Sequence, residues 1–98
     1  MILDEVYEVL VDRKVNPRED SYTSKLLYHE KGVNAILEKI GEECTELILA
    51  AKDGRKEDIV YEFSDLLYHM LVLLVKFDIG LEDVWRELER RLKERRGR

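Results

Sequence analysis

Two pairs of carboxylates, Glu43 with Glu46 and Glu62 with Asp65, stand three residues apart in neighbouring segments of the chain. A three-residue step keeps two side chains on the same side of a helix, because each residue turns the helix by about 100°. Like charges so spaced repel by a few tenths of a kcal/mol even in water. Four partly buried carboxylates cost much more unless a cation neutralises them. An all-oxygen anionic donor set suits a hard ion, Mg²⁺ or Mn²⁺, rather than zinc. Such an ion, with coordination positions left for water and phosphate, is what phosphoryl chemistry uses. A diiron carboxylate bundle takes Glu-x-x-His pairs, and this sequence has none. In a chain that is 40% charged, spaced glutamates also occur on ordinary solvated faces, so spacing reaches only a Mg²⁺ site within a helical bundle.

The elements that must position these groups follow from periodicity and punctuation. Helices are expected over residues 2–13, 33–53, 56–78 and 81–96, with a short helical turn near residues 25–29 and no sheet. Asn16-Pro17 ends the first helix, since the residue before proline disfavours the α region. Gly54 is expected as the left-handed residue closing the third element, with Gly32 and Gly80 as further punctuation. On the helix over 33–53, Ile36, Ile40, Cys44, Leu47, Ile48 and Ala51 form an apolar stripe, with Lys39, Glu43 and Glu46 along one border and Glu42 just outside. On the next helix Ile59, Phe63, Leu66, Met70 and Phe77 mark the expected buried stripe, and Glu62, Asp65 and His69 line its border. Packed as an antiparallel hairpin, the two borders face each other. That helix is apolar around much of its girth, which implies burial on several sides and, in a chain of 98 residues, a second copy as partner. On the last helix, Trp85 shares a stripe with Leu81, Val84, Leu88 and Leu92 and is expected to be a packing anchor.

Composition sets the frame. A 98-residue chain forms one domain over residues 1–98, burying roughly 60–70% of the surface its unfolded form exposes. Lone Cys44 forms no internal disulfide and fits a reducing compartment; the leading residues read as no signal peptide, and the longest apolar stretch is too short to span a bilayer. The expectation is a cytoplasmic protein without membrane contact. A net charge of −5 argues against a general nucleic-acid binder. Residues 86–98 carry a local +4, which complements the dipole at a helix C-terminus, with Glu87/Arg91, Glu89/Lys93 and Glu94/Arg98 paired four apart.

The run Lys39-Ile40-Gly41-Glu42-Glu43-Cys44-Thr45-Glu46, followed by Glu62-Phe63-Ser64-Asp65-Leu66-Leu67-Tyr68-His69, resembles the E-E-x-x-E … E-x-x-D signature of the MazG-like all-α nucleotide pyrophosphohydrolases. Together with Ser21-Tyr22-Thr23-Ser24-Lys25-Leu26, these segments are similar to the phosphoribosyl-ATP pyrophosphohydrolase family in particular, over about residues 5–96. The resemblance implies an all-α bundle of four to five helices, usually dimeric. It also implies Mg²⁺-dependent hydrolysis of phosphoribosyl-ATP to phosphoribosyl-AMP and pyrophosphate, the second step of histidine biosynthesis. By the same resemblance Glu43, Glu46, Glu62 and Asp65 are metal ligands, and Glu42 orients or deprotonates the attacking water. Lys39 and Lys25 contact phosphates, and Ser21 and Tyr22 line the nucleotide pocket. His69, at the end of the acidic border, reads on its position either as a group behind the ligands or meeting phosphate, or equally as a hydrogen-bonded histidine near the core. One segment departs from the pattern: Val33-Asn34-Ala35 stands where family members often carry basic residues, and Lys31 is the candidate substitute. Two other readings remain open on the residues themselves, a house-cleaning (d)NTP pyrophosphatase and a non-catalytic helical dimerisation module.

Overall fold

Backbone punctuation divides the chain where glycine and proline demand it. The computed structural model describes residues 1–97. Its helices are α1 (Ile2–Val15), α2 (Tyr22–Leu27), α3 (Val33–Asp53), α4 (Lys56–Lys76) and α5 (Leu81–Arg96), with no strand among the described residues. The all-α expectation holds. Asn16 caps α1, its N–H donating to the Asp12 carbonyl at 2.7 Å before Pro17 turns the chain away.

The short helix begins earlier than expected, at Tyr22 rather than Lys25, and the reason is Ser21. Its hydroxyl accepts the Ser24 N–H at 3.1 Å, satisfying one of the helix's orphan donors. Ser24, buried, holds the entry loop in place: its hydroxyl donates to the Arg13 carbonyl at 2.8 Å and accepts the Arg18 N–H at 3.1 Å. The segment Ser21-Tyr22-Thr23-Ser24 is thereby fixed against the end of α1.

α3 and α4 form the antiparallel hairpin that the sequence implies, and theirs is the most extensive helix contact in the fold. Gly54 closes α3 in the left-handed region at φ 74°, its N–H donating to the Ala50 carbonyl at 3.1 Å. A side chain there would be strained.

The core lies between α1, α2, α3 and α4, centred on Leu10, Leu27, Ile36, Val72 and Val75. This corrects the expected stripe of α4. Phe63, Met70 and Phe77 are 56%, 43% and 57% exposed, whereas His69, Leu71, Val72 and Val75 are buried. A helix apolar on nearly every side gives periodicity no preferred face to select. Lys14 fixes the end of α4 against α1, donating to the Val75 and Lys76 carbonyls at 3.0 and 3.2 Å and pairing with Asp78 at 2.8 Å. Lys76 in turn donates to the Leu27 carbonyl at 2.7 Å.

α5 is the second correction. Only Leu81 is buried on it, and Trp85, Leu88 and Leu92 are 38%, 51% and 47% exposed. Among the described residues α5 makes no extensive contact with another helix, and Trp85 lines an open groove with Leu3, Leu67, Met70 and Leu74 rather than sitting in the core. Its charges pair locally: Glu87 meets Arg91 at 2.8 Å as expected, while Glu94 meets Arg90 at 3.1 Å. Arg98, the expected partner of Glu94, lies outside the described residues.

Candidate functional site

The hairpin brings Glu43 and Glu46 of α3 together with Glu62 and Asp65 of α4. One carboxylate oxygen from each of the four lies within 4.8 Å of the others. Expected from spacing, this convergence follows from packing two three-residue steps face to face. Glu43 is the innermost, with 4% exposure. Burial, followed by Asp65 and Glu46 beside it, pushes its carboxyl up to about 7. Glu62 is also raised above the ordinary carboxylate range, by desolvation and then by Glu46 and Asp65. Both effects disfavour the charged form.

Two oxygens, Glu43 Oε2 and Glu62 Oε2, are buried with no hydrogen-bond partner among the described residues. Buried polar atoms are almost always satisfied. The chemistry that satisfies four converging carboxylates is a hard divalent cation, and these orphaned oxygens fit one. A second grouping, Glu43 with Asp65 and His69, is equally close in space. It is a poorer donor set, because both ring nitrogens of His69 are engaged: Nδ1 lies 2.8 Å from the Asp65 carbonyl and Nε2 3.1 Å from the Tyr22 hydroxyl.

The remaining expected residues separate into those at the cluster and those away from it. Lys39 stands at its edge, Nζ 3.3 Å from Glu42 and 3.8 Å from Glu43. The bond to Glu42 is the main reason its ammonium is held above the ordinary lysine range. Glu42 is outside the four-carboxylate group, exposed on α3 and paired with Lys39. Tyr22 reaches the cluster from α2. Burial raises its phenol, and Lys39 opposes that rise while Tyr68, Asp65 and Glu43 add to it. Ser21 is spent on the helix cap, and Lys25 is exposed on α2. Lys31 is paired with Glu38 at 3.3 Å, both half-exposed, so its ammonium is drawn toward α3.

Sequence reasoning missed Tyr68 and Thr23, whose hydroxyls form a hydrogen bond that joins α2 to α4 beside the site. Tyr68 lies against both Tyr22, ring centroids 6.4 Å apart, and His69, edge-on at 5.0 Å. The signal available was that Tyr22-Thr23 and Tyr68-His69 are adjacent pairs of hydroxyl and ring groups, one pair on each element.

No helix among the described residues is long and apolar enough to cross a membrane. The family model described as phosphoribosyl-ATP pyrophosphohydrolase matches residues 3–92. A phosphoribosyl-ATP pyrophosphatase of Methanocella arvoryzae is 56% identical over 92 residues, covering 94% of this chain and 97% of that protein. Another, of Haloarcula marismortui, is 52% identical over 90 residues, covering 92% of each chain. A histidine biosynthesis bifunctional protein of Caldanaerobacter subterraneus is 53% identical over 92 residues, 94% of this chain and 44% of that longer protein. With a match over nearly its whole length and four of the five signature carboxylates gathered into one cluster, the chain belongs to the phosphoribosyl-ATP pyrophosphohydrolase family.

Proposed function

We propose that residues 1–98 act as one cytoplasmic domain that hydrolyses phosphoribosyl-ATP to phosphoribosyl-AMP and pyrophosphate, as a step of histidine biosynthesis. The relatives named for this activity support the substrate, and the bifunctional relative supports the pathway. The observation that carries the chemistry is the group of four carboxylates with two orphaned, buried oxygens.

Glu43, Glu46, Glu62 and Asp65 would hold Mg²⁺, or Mn²⁺ in its place. When bound, such an ion neutralises phosphate charge and lowers the pKa of a coordinated water. The chain's own residues do the rest. Glu42, exposed at the rim and paired with Lys39, orients or deprotonates the attacking water. Lys39, a point charge shared between Glu42 and Glu43, passes to a phosphate oxygen when substrate arrives. Lys25 adds a second cation from α2. Tyr22, 51% exposed, offers a ring face to the base, and Ser21 holds the helix start that carries it. His69 stands behind Asp65 and Tyr22. Catalysis by positioning and charge neutralisation suits phosphoryl transfer, which asks little covalent work of the protein. We further propose a homodimer, because α4 and α5 leave large apolar side chains exposed, among them Phe63, Leu88 and Leu92.

The test is pyrophosphate release from phosphoribosyl-ATP and from ATP, each with Mg²⁺ and with EDTA. Metal-dependent release from phosphoribosyl-ATP alone is expected. Release from both substrates would move the function to general nucleotide house-cleaning. No release from either would leave a helical dimerisation module. Glu46→Gln is expected to abolish turnover while helicity by circular dichroism is unchanged, and full activity in that variant would overturn the metal assignment.

A further inference from the structure

The imidazole of His69 is 3% exposed and lies between the residue proposed to meet the base and a residue proposed to hold the metal. Its Nδ1 is 2.8 Å from the backbone carbonyl of Asp65, one turn earlier on α4. A carbonyl oxygen only accepts, so Nδ1 carries the hydrogen and donates. Its Nε2 is 3.1 Å from the Tyr22 hydroxyl on α2. In the neutral ring with Nδ1 protonated, Nε2 has only a lone pair to offer, and the phenol donates to it. The first contact stays within α4 and the second crosses to α2. A single ring thus ties the start of α2 to the turn of α4 that carries Asp65.

The surroundings leave the ring little freedom. Tyr68 lies edge-on to it at 5.0 Å and Tyr22 edge-on at 6.0 Å, both near perpendicular. Tyr68 is itself held by its hydrogen bond to Thr23 of α2. The Tyr22 ring has one face toward Tyr68 and is half-exposed on the rest. With its hydroxyl end fastened and one face backed, a tyrosine has lost most of its rotamer freedom before any ligand arrives. An ordered, planar apolar surface costs a flat heteroaromatic base less entropy to bind than a free side chain would.

We propose that His69 is a positioning residue, whose Nε2 fixes the Tyr22 hydroxyl so that the Tyr22 ring stands ready for the purine base beside the carboxylate cluster. The inference rests on the reading of Tyr22 as a nucleotide-pocket residue. It places His69 outside metal ligation and outside proton transfer, with its effect on substrate affinity routed through one phenol.

Three single variants and one double variant test this in the full-length protein. Tyr22→Phe removes the donor and keeps the ring. His69→Asn keeps a donor near the Nδ1 place and removes the acceptor at Nε2. His69→Gln puts a carbonyl oxygen near the Nε2 place. Tyr22→Phe and His69→Asn are each expected to raise KM for phosphoribosyl-ATP about 5- to 30-fold, the range of one lost hydrogen bond. The loss should fall on KM more than on kcat, and the double variant should be no worse than the poorer single. His69→Gln should recover most of the KM lost in His69→Asn. Mn²⁺ affinity without substrate, followed by electron paramagnetic resonance, should change less than twofold in Tyr22→Phe and His69→Asn. A KM in Tyr22→Phe equal to that of the unsubstituted protein, or losses that multiply in the double variant, would overturn the inference. If the unsubstituted protein releases nothing from phosphoribosyl-ATP, the functional reading itself fails. The ¹⁵N shift of His69 Nε2 then decides the geometry: a change in Tyr22→Phe upholds the bond, and an unchanged shift removes it.

Discussion

Glu43 keeps 4% of its surface exposed while Glu46 and Asp65 press on it, and its carboxyl is raised to about 7. A carboxylic acid whose folded pKa lies above its unfolded value, about 4.3, holds its proton more tightly in the fold. Its contribution to stability is therefore present below the unfolded value and lost as pH rises through about 7. Metal-free protein is expected to lose Tm between pH 5 and 7.5 relative to Glu43→Gln, which carries a neutral group at the same place. Mg²⁺ should restore the Tm of the unsubstituted protein at pH 7.5 and do little at pH 5; calorimetry with EDTA or Mg²⁺ checks both. The same competition makes cation affinity fall as pH drops through about 7, with protons released on binding, an outcome titration calorimetry in two buffers of different ionisation enthalpy can read. The convergence of the four carboxylates was legible in the sequence, because helical angle alone puts each pair on one border. Which one is innermost was not, since that depends on the crossing of α3 and α4. The cap that Ser21 supplies to α2 was also legible, since a serine just before a short helical segment is a recognisable helix-entry residue.

At the scale of elements, α2 is short and owes its place to side-chain hydrogen bonds more than to packing length. Ser24→Ala leaves the Arg13 carbonyl and the Arg18 N–H without their buried partner. It is expected to cost about 1–3 kcal/mol, measured by urea denaturation, and to loosen the segment that carries Tyr22. The α3–α4 turn gives a second test. Gly54 sits at φ 74°, so Gly54→Ala should destabilise by about 1 kcal/mol without moving KM. Four of the five helices were legible to within a few residues because proline, glycine and helical period all agree. The start of α2 was missed because a six-residue helix is too short for periodicity to register. The buried face of α4 was misread for a different reason. Its aliphatic residues surround the axis, and the polar residue that marks the inward side, His69, was counted as a border.

The molecule as a whole exposes 7330 Å², where a monomer of 11.7 kDa is expected to expose about 5,900 Å². Its radius of gyration is 15.4 Å with extents of 49 × 34 × 25 Å, against about 13 Å for a compact chain of this length. The excess surface exceeds the roughly 800 Å² per partner of a standard interface. Part of it is apolar and contiguous: Leu3, Leu67, Met70 and Leu74 meet Val84 and Trp85 around an open groove of about 310 Å³. A homodimer covering this groove is expected, read by light scattering as twice 11.7 kDa, and Trp85→Glu should shift it toward monomer. The all-round apolar character of α4 was legible in the sequence; how little α5 packs on its own chain was not, since an amphipathic stripe gives no address for what it covers. If a second copy covers the outer apolar face of α5, concentration becomes a variable of the folded state. By mass action each tenfold dilution removes about 1.4 kcal/mol from the assembled form. Turnover per chain would then fall below some threshold protein concentration, even with substrate and cation saturating.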